Sequence, residues 1–221
     1  MKHFYLSPHL DDAIFSCGGL IGQQSMDDQV IVLTLFAGGD NLNWRRMEDF
    51  EATKAVGAGA GHLFYPEAPD RDDLYKDAVN LFGHSRISDD ELVLELARDI
   101  KQLIGSGSLV VYCPLAIGNH IDHRLVRRAA ELLRYPLRFY YDFPYASREK
   151  EPSTYLGFPE GDEKIVKLSA VDIDLWTDAI ACYRSEFIKY WKSKDEIKKE
   201  LVEFHNQHGG IRLIEGKKWK R

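Results

Sequence analysis

Short apolar runs alternate with longer segments of helical spacing along most of this chain, and that alternation constrains the fold more than any other feature. Residues 3–6 (HFYL), 29–36 (QVIVLTLF), 62–65 (HLFY), 109–113 (LVVYC) and 137–141 (LRFYY) are β-branched or aromatic and are bounded by turn or polar residues, as buried strands are. Residues 12–25, 44–56, 89–104 and 121–134 lie between them with helical spacing, the third opening with Ser88 and Asp89 as caps before a Leu-rich face. The expected class is α/β: a doubly wound, Rossmann-like, mostly parallel sheet with right-handed crossovers and helices on both faces.

A hydrophobic content of 44% over 221 residues is enough for one core, so a single domain over 1–221 is expected. The 29 Lys and Arg against 35 Asp and Glu give a net charge of -6, which lacks the basic excess that nucleic-acid binding needs. No uncharged apolar run approaches the roughly 20 residues of a membrane span, and the start MKHFYLSPHLDD has no signal-peptide core. A soluble, cytoplasmic chain is expected, with a homo-oligomer left open. Cys17, Cys113 and Cys182 are odd in number and far apart, so no disulfide framework is implied. Residues 66–88 and 143–163 read as long irregular loops of the kind that carry substrate contacts. Residues 172–208 read as helices ending near Gly209 and Gly210, followed by a strand-like IRLI and a basic tail, KKWKR. Gly57 to Gly61 follows a helix instead of joining a strand to a helix, so it reads as a helix stop and turn, not a dinucleotide loop.

Two clusters carry the chemistry. Ser7-Pro8-His9-Leu10-Asp11-Asp12 falls where the first strand gives way to the first helix, the edge at which open α/β sheets bind ligands. Adjacent carboxylates beside an imidazole repel each other unless a cation or solvent intervenes. Asn119-His120-Ile121-Asp122-His123 follows the fourth strand at the same edge. Each cluster alone is common, and an Asp pair at a helix start is often a simple cap. Together they deliver three N/O ligands with an open fourth position, the mark of a catalytic zinc, whose bound water suits amide or ester hydrolysis. Because Asp11 and Asp12 are consecutive, one suits the metal and the other the water; spacing does not say which. His3, His62, His84, His205 and His208 lack such a setting and are expected as core or surface residues.

In Pro8-His9-Leu10-Asp11-Asp12 and His120-Ile121-Asp122-His123 the chain resembles the PIG-L/LmbE family of zinc-dependent N-deacetylases. Arg45-x-x-Glu48 in WRRMEDFEATKAVGA and AIACYRS at 179–185 extend the likeness over most of the chain. The resemblance implies Zn(2+) held by His9, Asp12 and His123, with metal-bound water as nucleophile and Asp11 as general base. His120 would stabilise the oxyanion or protonate the leaving amine, and Asp122 would orient one of the imidazoles. Arg45 would bind substrate, against the plainer expectation of an i,i+3 pair with Glu48; Arg46 is the other candidate. The implied substrate is a small N-acetylated sugar or sugar conjugate. Leu10 and Ala13 depart from the family pattern without removing a ligand. Gly118 stands where some members have a tyrosine, so any assisting tyrosine would have to come from another loop. Glu67 and Arg71 are weaker substrate-contact candidates. Trp44, Trp176 and Trp191 are expected as core more than as sugar platforms. Two alternatives stand beside this: a related amidase for a larger acyl or thiol conjugate, and a non-catalytic ligand-binding α/β module.

Overall fold

The computed structural model describes residues 1–39, 42–83, 88–149 and 152–216; His84 and the basic tail lie outside them. The parallel part of the sheet is formed by β1 (Lys2–Ser7), β2 (Gln29–Thr34), β3 (Gly59–His62), β4 (Leu109–Pro114) and β5 (Leu137–Tyr140), linked through α1 (Asp12–Ser25), α2 (Asn43–Ala55), α5 (Ser88–Ile104) and α6 (Ile121–Glu131). Between β3 and α5 lie the short helices α3 (Ala68–Arg71) and α4 (Ala78–Leu81), separated by a single 3-10 turn. After β5 come α7 (Tyr145–Arg148), β6 (Gly161–Val166), α8 (Ala170–Ile180), α9 (Arg184–Tyr190), α10 (Lys194–His208) and β7 (Ile211–Gly216).

The seven strands run in the order β3-β2-β1-β4-β5-β7-β6, with Phe4 opposite Ile31 on one side and Val111 on the other. The order in which strands are added reverses between the parallel neighbours β1 and β4, so right-handed crossovers place α1 and α2 on one face and α5 and α6 on the other. Helix α8 packs on α1, α2 and α10, while α5 packs on α6. The close approach of α1 and α8 needs glycine: a Cβ on Gly18 would come 2.4 Å from Trp176 Cδ1. The Trp176 indole N–H donates to the Ile14 carbonyl at 2.7 Å, so this tryptophan is core, as is Trp191, while Trp44 is exposed.

Two strands differ from expectation. The third is Gly59–His62 and not 62–65, so the glycine run supplies a strand after the stop at Gly57. As an outer strand it pairs only with β2, and no demand for bulky apolar residues writes it into the sequence. Residues 64 and 66 touch the β2 extension only by isolated bridges. Strand β6 begins inside the expected loop 143–163 and pairs antiparallel with β7. It is charged and almost wholly exposed, so it carries no buried-strand signal. Among the described residues, no helix is long and apolar enough to cross a membrane.

Candidate active site

The β1–α1 and β4–α6 connections lie side by side at the point where strand order reverses. In the first, Ser7 donates from Oγ to the His9 carbonyl at 2.6 Å and accepts the Ala13 N–H at 3.0 Å, which fixes the turn. Leu10 is driven into a small apolar cluster with Ala37 and Leu42; its neighbours His9 and Asp11 both line the cavity. Asp12 folds back so that its Oδ2 accepts the His9 backbone N–H at 2.7 Å. In the second connection, His120 caps α6, its Nδ1 accepting the Asp122 N–H at 3.2 Å.

These segments bring all six predicted residues of the two motifs together. Asp12 Oδ2 lies 3.1 Å from His9 Nδ1 and 3.3 Å from His123 Nε2. His9, His120 and His123 each offer a ring nitrogen within 4.8 Å of the others, a cluster compatible with a metal ion. Asp122 is fully buried: Oδ2 takes His9 Nε2 at 3.0 Å and the Ala68 N–H at 2.9 Å, and Oδ1 takes Arg71 at 2.8 Å. Arg71 therefore serves Asp122. Arg45 reaches the cluster from α2, with contacts of 3.1 Å to Glu67, 3.4 Å to Glu186 and 3.8 Å to Asp11. Arg46 instead ties down its own loop through the carbonyls of Ala37 and Gly39 and through Asn43. Glu48, the alternative partner of Arg45, is buried and engaged by Ser185.

Several participants carried no motif. Asp142, just past β5, takes His123 Nδ1 at 2.7 Å and the Ile117 N–H at 2.9 Å; an acid beyond the end of a strand next to β4 was the signal for it. Tyr145 lines the cavity, and Glu186, Lys189 and Tyr190 wall it from α9. The Lys189 ammonium donates to both Glu186 oxygens, at 2.9 and 2.8 Å. The cavity measures about 200 Å³ and is lined mainly by charged and polar groups. His3 is buried and bonded to Tyr112 and Asp28, and His62, half-buried, is bonded to Asp49.

Burial and the adjacent Asp12 push the Asp11 carboxyl up to about 7. Burial opposes charge on His9 and His123, yet their carboxylate neighbours outweigh it; His9 is raised well above its ordinary value and His123 to about 9. Burial likewise opposes charge on Asp12, but the imidazoles of His123 and His9 hold it well below the carboxylate range. His120, lacking such a partner, is lowered by burial to about 3. Its Nδ1 accepts a backbone N–H, so the neutral ring carries its proton on Nε2.

An open α/β sheet whose switch point gathers imidazoles and adjacent carboxylates around one small cavity has the make-up of a hydrolase site. The family model PIG-L, GlcNAc-PI de-N-acetylase, matches residues 4–133, more than half the chain, and the chain belongs to this family. It is similar to the 2'-N-acetylparomamine deacetylase of Niallia circulans, 27% identical over 188 residues that span 66% of this chain and 68% of that one. The deacetylase of the same description from Streptomyces fradiae is 28% identical over 65% of this chain and 57% of its own length. Among solved structures, a deacetylase–teicoplanin complex from the teicoplanin biosynthetic pathway superposes with a TM-score of 0.80 at 25% identity, over 98% of this chain and 100% of that one. The zinc-inhibited form of a teicoplanin deacetylase shares the fold, with a TM-score of 0.81 at 24% identity, over 98% of this chain and 99% of that one.

Proposed function

We propose that this chain, acting as one domain, removes the acetyl group from the nitrogen of an amino-sugar-containing small molecule, with Zn(2+) held by His9, Asp12 and His123. The meeting of Asp12 Oδ2 with His9 Nδ1 and His123 Nε2 carries the reading. Asp122 and Asp142 occupy the opposite ring nitrogens, which fixes the ring protons there. The other nitrogen of each ring faces the Asp12 carboxylate, and His123 Nε2 is buried without a hydrogen-bond partner. Such a site takes up two positive charges, as two protons or as one divalent cation, and its N/O donor set suits zinc.

A bound zinc ion supplies Lewis acidity that polarises an acyl carbonyl and makes water a stronger acid. Asp11, beside the proposed ligands, accepts the proton of the attacking water. His120, neutral with its proton on Nε2, donates a hydrogen bond from there to the acyl oxygen, and the departing nitrogen takes the proton that Asp11 accepted from the water. Arg45, held by Glu67 and Glu186, presents its fork to sugar oxygens. A cavity of about 200 Å³ suits an acetyl group with part of a sugar ring better than a long acyl chain. The names of the relatives, acetylparomamine and teicoplanin deacetylases, support an amino-sugar acceptor.

The test combines metal content by mass spectrometry with acetate release from a panel of N-acetylated amino sugars. Expected are one equivalent of metal, lost in His123→Ala, and acetate release that falls by about 10²–10⁴ in Asp11→Ala while the metal stays. Metal without acetate from any member of the panel would overturn the substrate class, and absence of both would overturn the reading.

A further inference from the structure

We propose that Glu67 and Glu186 determine the charge of the substrate: together they admit an amino sugar that presents free hydroxyls to Arg45 and turn away its phosphate monoesters. This narrows the substrate of the deacetylase reading above and rests on it. Of the lysine and arginine side chains, Arg45 and Lys189 line the cavity, against the carboxylates of Asp11, Asp12, Glu67 and Glu186. A divalent ion at the proposed ligands brings these charges into balance and leaves no surplus of positive charge for an anion.

Both cations are already engaged. The Lys189 ammonium is taken by the two Glu186 oxygens. Each nitrogen of the Arg45 guanidinium faces a different carboxylate: Nη1 lies 3.1 Å from Glu67, Nε 3.4 Å from Glu186 and Nη2 3.8 Å from Asp11. A sugar hydroxyl fits such a wall because it donates and accepts at once, giving its proton to a glutamate and taking an N–H that the arginine has left over. A phosphate monoester carries a charge of about −1.5 to −2 at pH 7 and offers acceptor oxygens. It would lie against the same carboxylates with no unpaired cation to offset the repulsion.

The two glutamates are anchored. Glu186 is buried and follows Ser185, which donates to Glu48 on α2, while Lys189 holds its carboxylate from the next turn. Glu67 precedes Ala68, whose N–H donates to the buried Asp122 at 2.9 Å, the same carboxylate that takes His9 Nε2. Both acids are thus fixed relative to the reacting centre. A repulsive group discriminates between ligands when the wrong one cannot push it aside. Arg45 therefore reads hydroxyls, and the glutamates that hold it supply the rejection.

The test compares kcat/KM for an N-acetylated amino sugar with that for the phosphate monoester of the same sugar, on the metal-loaded protein and its variants. The unaltered protein is expected to favour the unphosphorylated sugar by about 100-fold. Glu67→Gln and Glu186→Gln keep the shape of each side chain and remove its charge, and each is expected to lower that ratio about tenfold, through a smaller KM for the monoester. A purely structural role would lower kcat/KM for the two sugars alike and leave the ratio where it was, so an unmoved ratio in both variants would overturn the assignment. Equal use of the two sugars by the unaltered protein would overturn it too and leave the deacetylase reading standing. Failure of the unaltered protein to release acetate from any substrate would remove both.

Discussion

Ser185 donates to Glu48 twice, from its backbone N–H at 3.2 Å and from its hydroxyl at 2.6 Å. Beside it, Tyr183 donates to Asp49 at 2.6 Å. The first residues of α9 are thereby clamped to α2, which sets Glu186 against Arg45, one turn before Glu48. Two stretches far apart in sequence, Arg45-x-x-Glu48 and AIACYRS, thereby hold together Arg45 and Glu186, which both line the cavity.

Ser185→Ala leaves one oxygen of the buried Glu48 without its hydroxyl donor. A loss of about 2 kcal/mol is expected, or roughly 4–8 °C in Tm for a chain of this size. KM should rise as well, because Glu186 is no longer held beside Arg45. Thermal melts read by circular dichroism and steady-state kinetics check both; an unchanged KM would detach the clamp from substrate binding.

Asp142 holds the ring of His123 through Nδ1. Asp142→Asn is expected to weaken zinc affinity about 10- to 100-fold, as measured by competition with a chromophoric chelator. Equal affinity in the two proteins would mean that Asp142 does not orient His123 for the metal.

Arg45 and Arg46 should differ sharply. Arg45→Lys keeps the charge but loses the fork shared by Glu67 and Glu186, and KM should rise about tenfold, or about 1.4 kcal/mol of binding. Arg46→Lys touches only the loop it ties and should leave KM near normal. The reverse pattern would move substrate binding to Arg46.

The alkaline limit of stability follows from tyrosines outside the cavity. Burial first, then neighbouring Tyr112, raises Tyr5 well above its ordinary value; burial and Asp49 do the same for Tyr183; burial and Asp99 push Tyr65 up to about 12. In the unfolded chain these phenols ionise near 10. Above that pH the folded protein holds protons that the unfolded chain gives up, so their contribution is intact below about pH 10 and is lost as pH rises beyond it. Denaturant melts across this range, read alongside tyrosinate absorbance, should show unfolding and ionisation of the buried phenols together. Full ionisation with the fold intact would contradict this.

The sequence by itself determined the α/β class and the two motifs. Strands buried on both faces must be apolar throughout, and His9, Asp11, Asp12, His120, Asp122 and His123 sit within a few residues of strand ends, so a local reading found them. It missed β3 and β6, because the outer strands of the sheet are small or charged and carry no such signal. Only the tertiary structure decided that Arg45 and not Arg46 reaches the site, that Arg71 serves Asp122, and that Asp142, Tyr145 and Glu186 join it. Those choices depend on which strand lies beside β4 and on how α9 docks against α2. Both are set by packing between segments distant in the chain, which no local spacing records.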